Sequence, residues 1–193
     1  MFGITKEIAE NSNPVQLPIL TPGIYDNVTL KEVTFGPAEK KDGSAGKNLL
    51  NFKFETESGS PYVHSEWEID ATAENVDKIT NLTKRVSHIM SKFMDKDKTV
   101  SPSFSSYAEF ANWVVKSLNP VKGSTKVKLK VVGSVYNGKR SSKFPNYLGF
   151  IVKAGEPLSF TSTEIAGNQE WAAFTPDKPA DSASTPIVKE ELF

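Results

Sequence analysis

The stretch TKVKLKVVGSVYNGKRSSK, residues 125–143, decides the fold. Val127, Leu129 and Val131 alternate with Lys126, Lys128 and Lys130, the period-2 pattern of a strand with one apolar and one solvated face. The run continues through Val135 and Tyr136 into Asn137-Gly138, the dipeptide best suited to a two-residue hairpin turn. Lys139-Arg140-Ser141-Ser142-Lys143 reads as a basic loop leading to a last strand over about 146–153. A hairpin this far along the chain matters because the preceding residues are helical.

Upstream of it, Val76, Ile79, Leu82, Val86, Ile89 and Phe93 recur every three or four residues, the stripe of an amphipathic helix. A second helix is predicted over Ser106–Leu118: Ser106 and Glu109 have capping-box spacing, Phe110, Trp113, Val114 and Leu118 supply the stripe, and Asn119-Pro120 ends it. Before the helices come three strand signals. In the first, Val28 and Leu30 face a core, and Val33 with Phe35 demands a change of parity, read as a bulge. In the second, about 49–57, Leu50, Phe52 and Phe54 share the inner face and Lys53 the outer. In the third, about 62–69, Val63, Trp67 and Ile69 are assigned inward, and Tyr62, His64 and Glu66 outward.

The ends differ in character. Residues 1–22 read as an N-terminal arm, residues 23–165 as one folded domain, and residues 166–193 as a flexible acidic tail too poor in apolar side chains to fold alone. Net charge is zero, but from Gly167 onward five acids face two lysines, so the tail carries −3 and the preceding 166 residues +3. The chain has no Cys, which excludes disulfides and thiolate chemistry, and its two His, His64 and His88, lack metal-ligand spacing. No signal peptide or membrane-spanning run is evident, so the expected location is the cytoplasm. The cluster Glu66, Glu68 and Asp70 has no partner His, and 41–47 lacks phosphate-loop spacing, so no catalytic residue, metal or cofactor is assigned.

Three strands, a helical insert and two strands form an order that resembles the OB-fold, a five-stranded, partly open barrel with a helix between strands three and four. The fold class expected is therefore mainly β with a helical insert, an OB-like barrel. OB-folds bind oligonucleotides on the strand 2–3 face and with the loops joining strands 1–2 and 4–5. Here the first loop holds Lys40, Lys41 and Lys47, and the second holds Lys139, Arg140 and Lys143. Tyr62 and His64 on strand three, with Lys53 across from them, and Tyr136, Phe144 and Tyr147 near the second loop are the candidate base-stacking and phosphate-contacting residues. Lys126, Lys128 and Lys130 are assigned to a solvated face, and His88 to the helix surface.

The last residues, Glu190, Glu191, Leu192 and Phe193, follow a Pro/Ser/Ala linker. This tip resembles that of single-stranded-DNA-binding proteins, bacterial ones and those of short-tailed phages, which end in acids and a terminal Phe. The phage branch is the nearer likeness. The resemblance implies binding and protection of single-stranded DNA in (phage) replication, recombination and repair, inside the host cytoplasm. It also implies that the tip recruits replication proteins such as DNA polymerase or helicase-primase. Homo-oligomerisation is left open. The rival reading is a virion structural or assembly protein whose β-barrel buries the same faces against neighbouring subunits.

Overall fold

The computed structural model describes residues 20–39 and 43–175. Lys40, Lys41, most of the expected N-terminal arm, and the tip residues Glu190, Glu191, Leu192 and Phe193 lie outside the described residues. The strands are β1 (Gly23–Glu39), β2 (Ala45–Glu55), β3 (Pro61–Trp67), β4 (Lys126–Tyr136), β5 (Lys139–Lys143) and β6 (Ile151–Lys153). The helices are α1 (Val76–Phe93), α2 (Tyr107–Leu118) and α3 (Ser162–Ala173). All strand pairs are antiparallel, in the order β3-β2-β1-β4-β5, with β6 also against β4. The sheet is open: among the described residues no strand pairing joins β3 to β5 or β6.

β1 is long enough to serve two partners. Gly23 to Thr29 pair with β4, and Thr29 to Glu39 pair with β2. Between the pairs Leu30↔Phe54 and Glu32↔Lys53 the register skips Lys31. That bulge turns both Leu30 and Val33 into the core, as the sequence requires. Leu30, Val33, Leu50, Phe52 and Phe54 pack beneath Leu82, Val86, Ile89, Met90 and Phe93 of α1 and Ala111, Val114 and Leu118 of α2. Ser106 caps α2 by accepting from the Glu109 N–H at 3.2 Å, while the Glu109 carboxylate accepts from the Ser105 N–H at 3.0 Å. At the other end of α2, Asn119 clamps the helix to β1, its Oδ1 accepting from Val33 N–H at 3.0 Å and its Nδ2 donating to Val33 O at 2.9 Å.

β3 faces the opposite way from the sequence reading. Its pairs with β2 are Leu50↔Glu66, Phe52↔His64 and Phe54↔Tyr62. Directly opposed residues of an antiparallel pair share a face, so the inward Leu50, Phe52 and Phe54 draw Tyr62, His64 and Glu66 inward. Val63 and Trp67 are outward, 42% and 54% exposed. The Thr56–Ser60 turn fixes this register: Thr56 N–H donates to Ser60 O at 2.9 Å, and Ser60 N–H to Thr56 Oγ1 at 3.0 Å.

The C-terminal half departs further. Asn137 (φ 48°) and Gly138 (φ 67°) form the expected turn, but residues 139–143 are strand β5 rather than a loop. The last strand is confined to Ile151–Lys153, and 144–150 is a loop whose Phe144 and Phe150 are buried. The tail expected from residue 166 begins inside α3, which Thr161 and Glu164 start with a reciprocal capping box. α3 packs on the side of β4 away from the main core, and there Lys130 is 3% exposed instead of solvated.

The parity of β3 is testable by stability. Glu66→Ala leaves Arg85 without its buried partner and is expected to cost about 3–5 kcal/mol in urea unfolding. Val63→Ala on the outer face should stay within about 0.5 kcal/mol. The reverse ranking would restore the opposite parity.

Candidate nucleic-acid interface

The inward turn of β3 assembles a polar and aromatic cluster. Arg85 of α1 grips Glu66 with two donors, Nε to Oε1 at 2.8 Å and Nη2 to Oε2 at 2.5 Å. His64 Nε2 lies 2.9 Å from Glu66 Oε1, and Tyr107 of α2 donates its hydroxyl to Glu66 O at 2.7 Å. Burial opposes ionisation of Glu66, but the hydrogen bonds and charges of His64 and Arg85 outweigh it and hold the carboxyl below its usual range.

Tyr62, His64 and Phe144 are therefore not stacking platforms. The His64 ring stacks on Phe144 at 4.5 Å between centroids, and Phe144 stacks on Phe150 at the same separation. Tyr62 packs 5.1 Å from Phe144, and burial pushes its phenol up. These rings carry apolar contact from β3 to the 144–150 loop, where no strand pairing exists. His88 is likewise half-buried: its Nε2 lies 3.2 Å from Ile151 O, its ring meets Phe150 edge-on, and burial followed by the Lys92 charge pulls its pKa down.

What the parity uncovers is the outer face of β1, β2 and β3. Trp67 sits across from Leu49, Ser65 from Asn51 and Val63 from Lys53. Lys53 pairs with Glu32 at 2.6 Å and Lys47 with Asp70 at 3.2 Å, both exposed. Such pairs are weak and screened by salt, so their cations remain available to a competing anion. Sequence reasoning missed Trp67 and Val63 as outer residues. The signal that could have found them was the inward Leu50/Phe52/Phe54 triplet projected across a short turn.

The β4–β5 hairpin presents the second group. Tyr136 is 76% exposed, and Lys139, Arg140 and Lys143 are exposed on β5. Among the described residues none of these three cations forms an ion pair with a carboxylate. The strand lysines behave differently: Lys126 donates to Thr29 Oγ1 at 2.6 Å, Lys128 pairs with Asp26 at 3.0 Å, and Lys130 pairs with Glu164 at 3.0 Å. Phe144, one residue past Lys143, abuts Tyr62 and His64, so the base of the hairpin lies beside β3. Tyr147 is half-exposed but engaged, donating its hydroxyl to Glu164 Oε1 at 2.5 Å. No helix among the described residues is long and apolar enough to cross a membrane.

No protein-family model matches the chain, and no curated protein matches it. The functional reading therefore rests on residues and geometry.

Two buried carboxyls contribute to the acid limb of stability. For Glu164, as for Glu66, burial opposes ionisation but is outweighed, here by the Tyr147 hydroxyl, the Thr161 N–H and Lys130. Both folded-state values lie below the ordinary 4.5, so unfolding takes up protons in this range. The stabilisation is complete above about 4.5 and is lost as pH falls through the depressed folded values. Urea midpoints should drop on acidification below pH 4.5. The drop should be smaller in Glu66→Gln, which is less stable at neutral pH; an unchanged slope would remove Glu66 as a cause.

Proposed function

We propose that this chain binds single-stranded DNA through the β4–β5 hairpin and the outer face of β1–β3. The observation that carries the reading is the hairpin: three cations and an exposed aromatic ring within Tyr136–Lys143, with no acidic side chain in the segment. Phosphates are held by cations, and bases stack on rings at about 1–3 kcal/mol each, with little regard to base identity. Tyr136 and Trp67 are the platforms in this reading, and Lys47, Lys53, Lys139, Arg140 and Lys143 neutralise phosphates. Lys40 and Lys41 of the β1–β2 connection belong to the same proposal by sequence position.

We read the open sheet as an OB-like barrel whose seam, between β3 and β6, is filled by Tyr62, His64, Phe144 and Phe150. Strand order, the helices between β3 and β4, and the long bent β1 support this. The acidic tip, by its resemblance to phage-type tails, would recruit replication proteins through Leu192 and Phe193. One observation favours the virion-assembly reading instead: exposed Trp67, with Leu49 across from it, and exposed Val63 offer apolar contacts that a neighbouring subunit could cover. The two readings separate on oligonucleotide binding and on assembly size.

A fluorescence titration with a short poly-dT strand should show affinity falling steeply with salt. Replacing Lys139, Arg140 and Lys143 together by Gln should reduce the log–log salt slope by about 2, at about 0.7 for each phosphate contact on a single strand. Trp67→Ala should weaken binding by about 1–3 kcal/mol with little change in that slope. Salt-independent binding, tighter binding to duplex, or a stable large assembly that ignores oligonucleotides would refute the proposal.

A further inference from the structure

α3 straddles the expected edge of the binding domain, and it is seated on the back of the hairpin by polar contacts. Glu164 is buried against Lys130 and Tyr147, and Lys130 also donates to Ser159 O at 3.0 Å. Asn168 Oδ1 accepts from Gly133 N–H at 2.8 Å. Gly133 itself makes the seat. A Cβ there would fall 2.6 Å from Trp171 Cβ and 2.7 Å from Pro22 Cγ. Any side chain at 133 would therefore force Trp171 or Pro22 to shift.

Seated in this way, Trp171 puts its ring under Arg140 of β5, with the guanidinium carbon 4.7 Å from the ring centre. The indole N–H is buried without a hydrogen-bond partner, so what the ring offers its surroundings is its face. A stacked guanidinium spends its own face on the ring and keeps its in-plane N–H donors, the set that grips a phosphate with two parallel hydrogen bonds. Lys139 and Lys143 have no ring beneath them among the described residues and present unstacked, exposed ammoniums.

We infer that Trp171 is a positioning residue of the nucleic-acid interface, holding Arg140 in place for a phosphate. The inference rests on the single-stranded-DNA reading and adds α3 to it. The gain comes from ordering a long side chain before the ligand arrives, which would otherwise cost affinity on binding.

The test is a double-mutant cycle between Arg140→Gln and Trp171→Leu in the full chain, read by anisotropy of a labelled poly-dT strand. Trp171→Leu should lower affinity about two- to tenfold, the range set by ordering one long side chain. Trp171→Phe, which keeps a ring face, should recover most of that loss. In the Trp171→Leu background, Arg140→Gln should cost less than it does in the wild type. Gly133→Ala, whose Cβ would crowd Trp171 and Pro22 while leaving the Trp171 and Arg140 side chains chemically intact, should reproduce the Trp171→Leu loss. Wild-type binding with Trp171→Leu unchanged, or with losses that multiply independently, would overturn the positioning role alone. No binding by the wild-type chain would overturn the DNA reading and this inference with it.

Discussion

The carboxylate of Glu66 is where the sheet and its two inner helices meet. Arg85 reaches it from α1, His64 from the same strand, and Tyr107 of α2 takes the backbone carbonyl of the same residue. A charge buried this deeply is tolerated only when it is paired and hydrogen-bonded. The register of β3 on β2 is thereby fixed, since a slip of one residue would carry Glu66 out to solvent and bring Trp67 in. Everything on the outer face follows from that choice. Val63 and Trp67 are exposed because Tyr62, His64 and Glu66 are not.

The inner face is closed by the helices and by the aromatic bridge from β3 to the 144–150 loop, so the surfaces proposed for binding lie on what remains. On β4 the outer face is itself divided. Lys126 and Lys128 are engaged with β1 residues, Lys130 is sealed under α3, and past Gly133 the strand runs on into the hairpin, whose cations have no carboxylate partner among the described residues. A chain with no net charge thus presents basic character at the hairpin, because most other lysines near the sheet are matched locally by acids. Local sorting of charge, not overall composition, favours a polyanionic partner here.

What the sequence made legible was local. The bulge at Lys31 followed from Val28, Leu30, Val33 and Phe35, the cap of α2 from Ser106, and the hairpin turn from Asn137-Gly138, each a short-range rule. The parity of β3 was not legible in the same way. Val63, Trp67 and Ile69 are as convincing a core triplet as Tyr62, His64 and Glu66 are a solvated one, and only the cross-strand register decides between them. α3 was hidden for a related reason. Its anchors are Glu164 and Asn168, so it has no apolar stripe, and the capping box at Thr161 and Glu164 was its one written signal. Lys130 could not be told from Lys126 and Lys128 by alternation, because what buries it lies 34 residues further on. At the candidate site, the hairpin cations and Tyr136 were legible as a cluster, whereas Tyr62, His64 and Phe144 are turned inward and Trp67 takes their place in the proposed reading.

In the proposed reading the outer face of β3 and the tip of the hairpin form one surface for a single strand. This is tested most directly by ultraviolet crosslinking of a bromouracil-substituted single strand to the full chain, with the crosslinked residues mapped by mass spectrometry. The account predicts crosslinks at Trp67 and Tyr136. Crosslinks concentrated at Tyr62, His64 or Phe144, or confined to residues far from both surfaces, would contradict it.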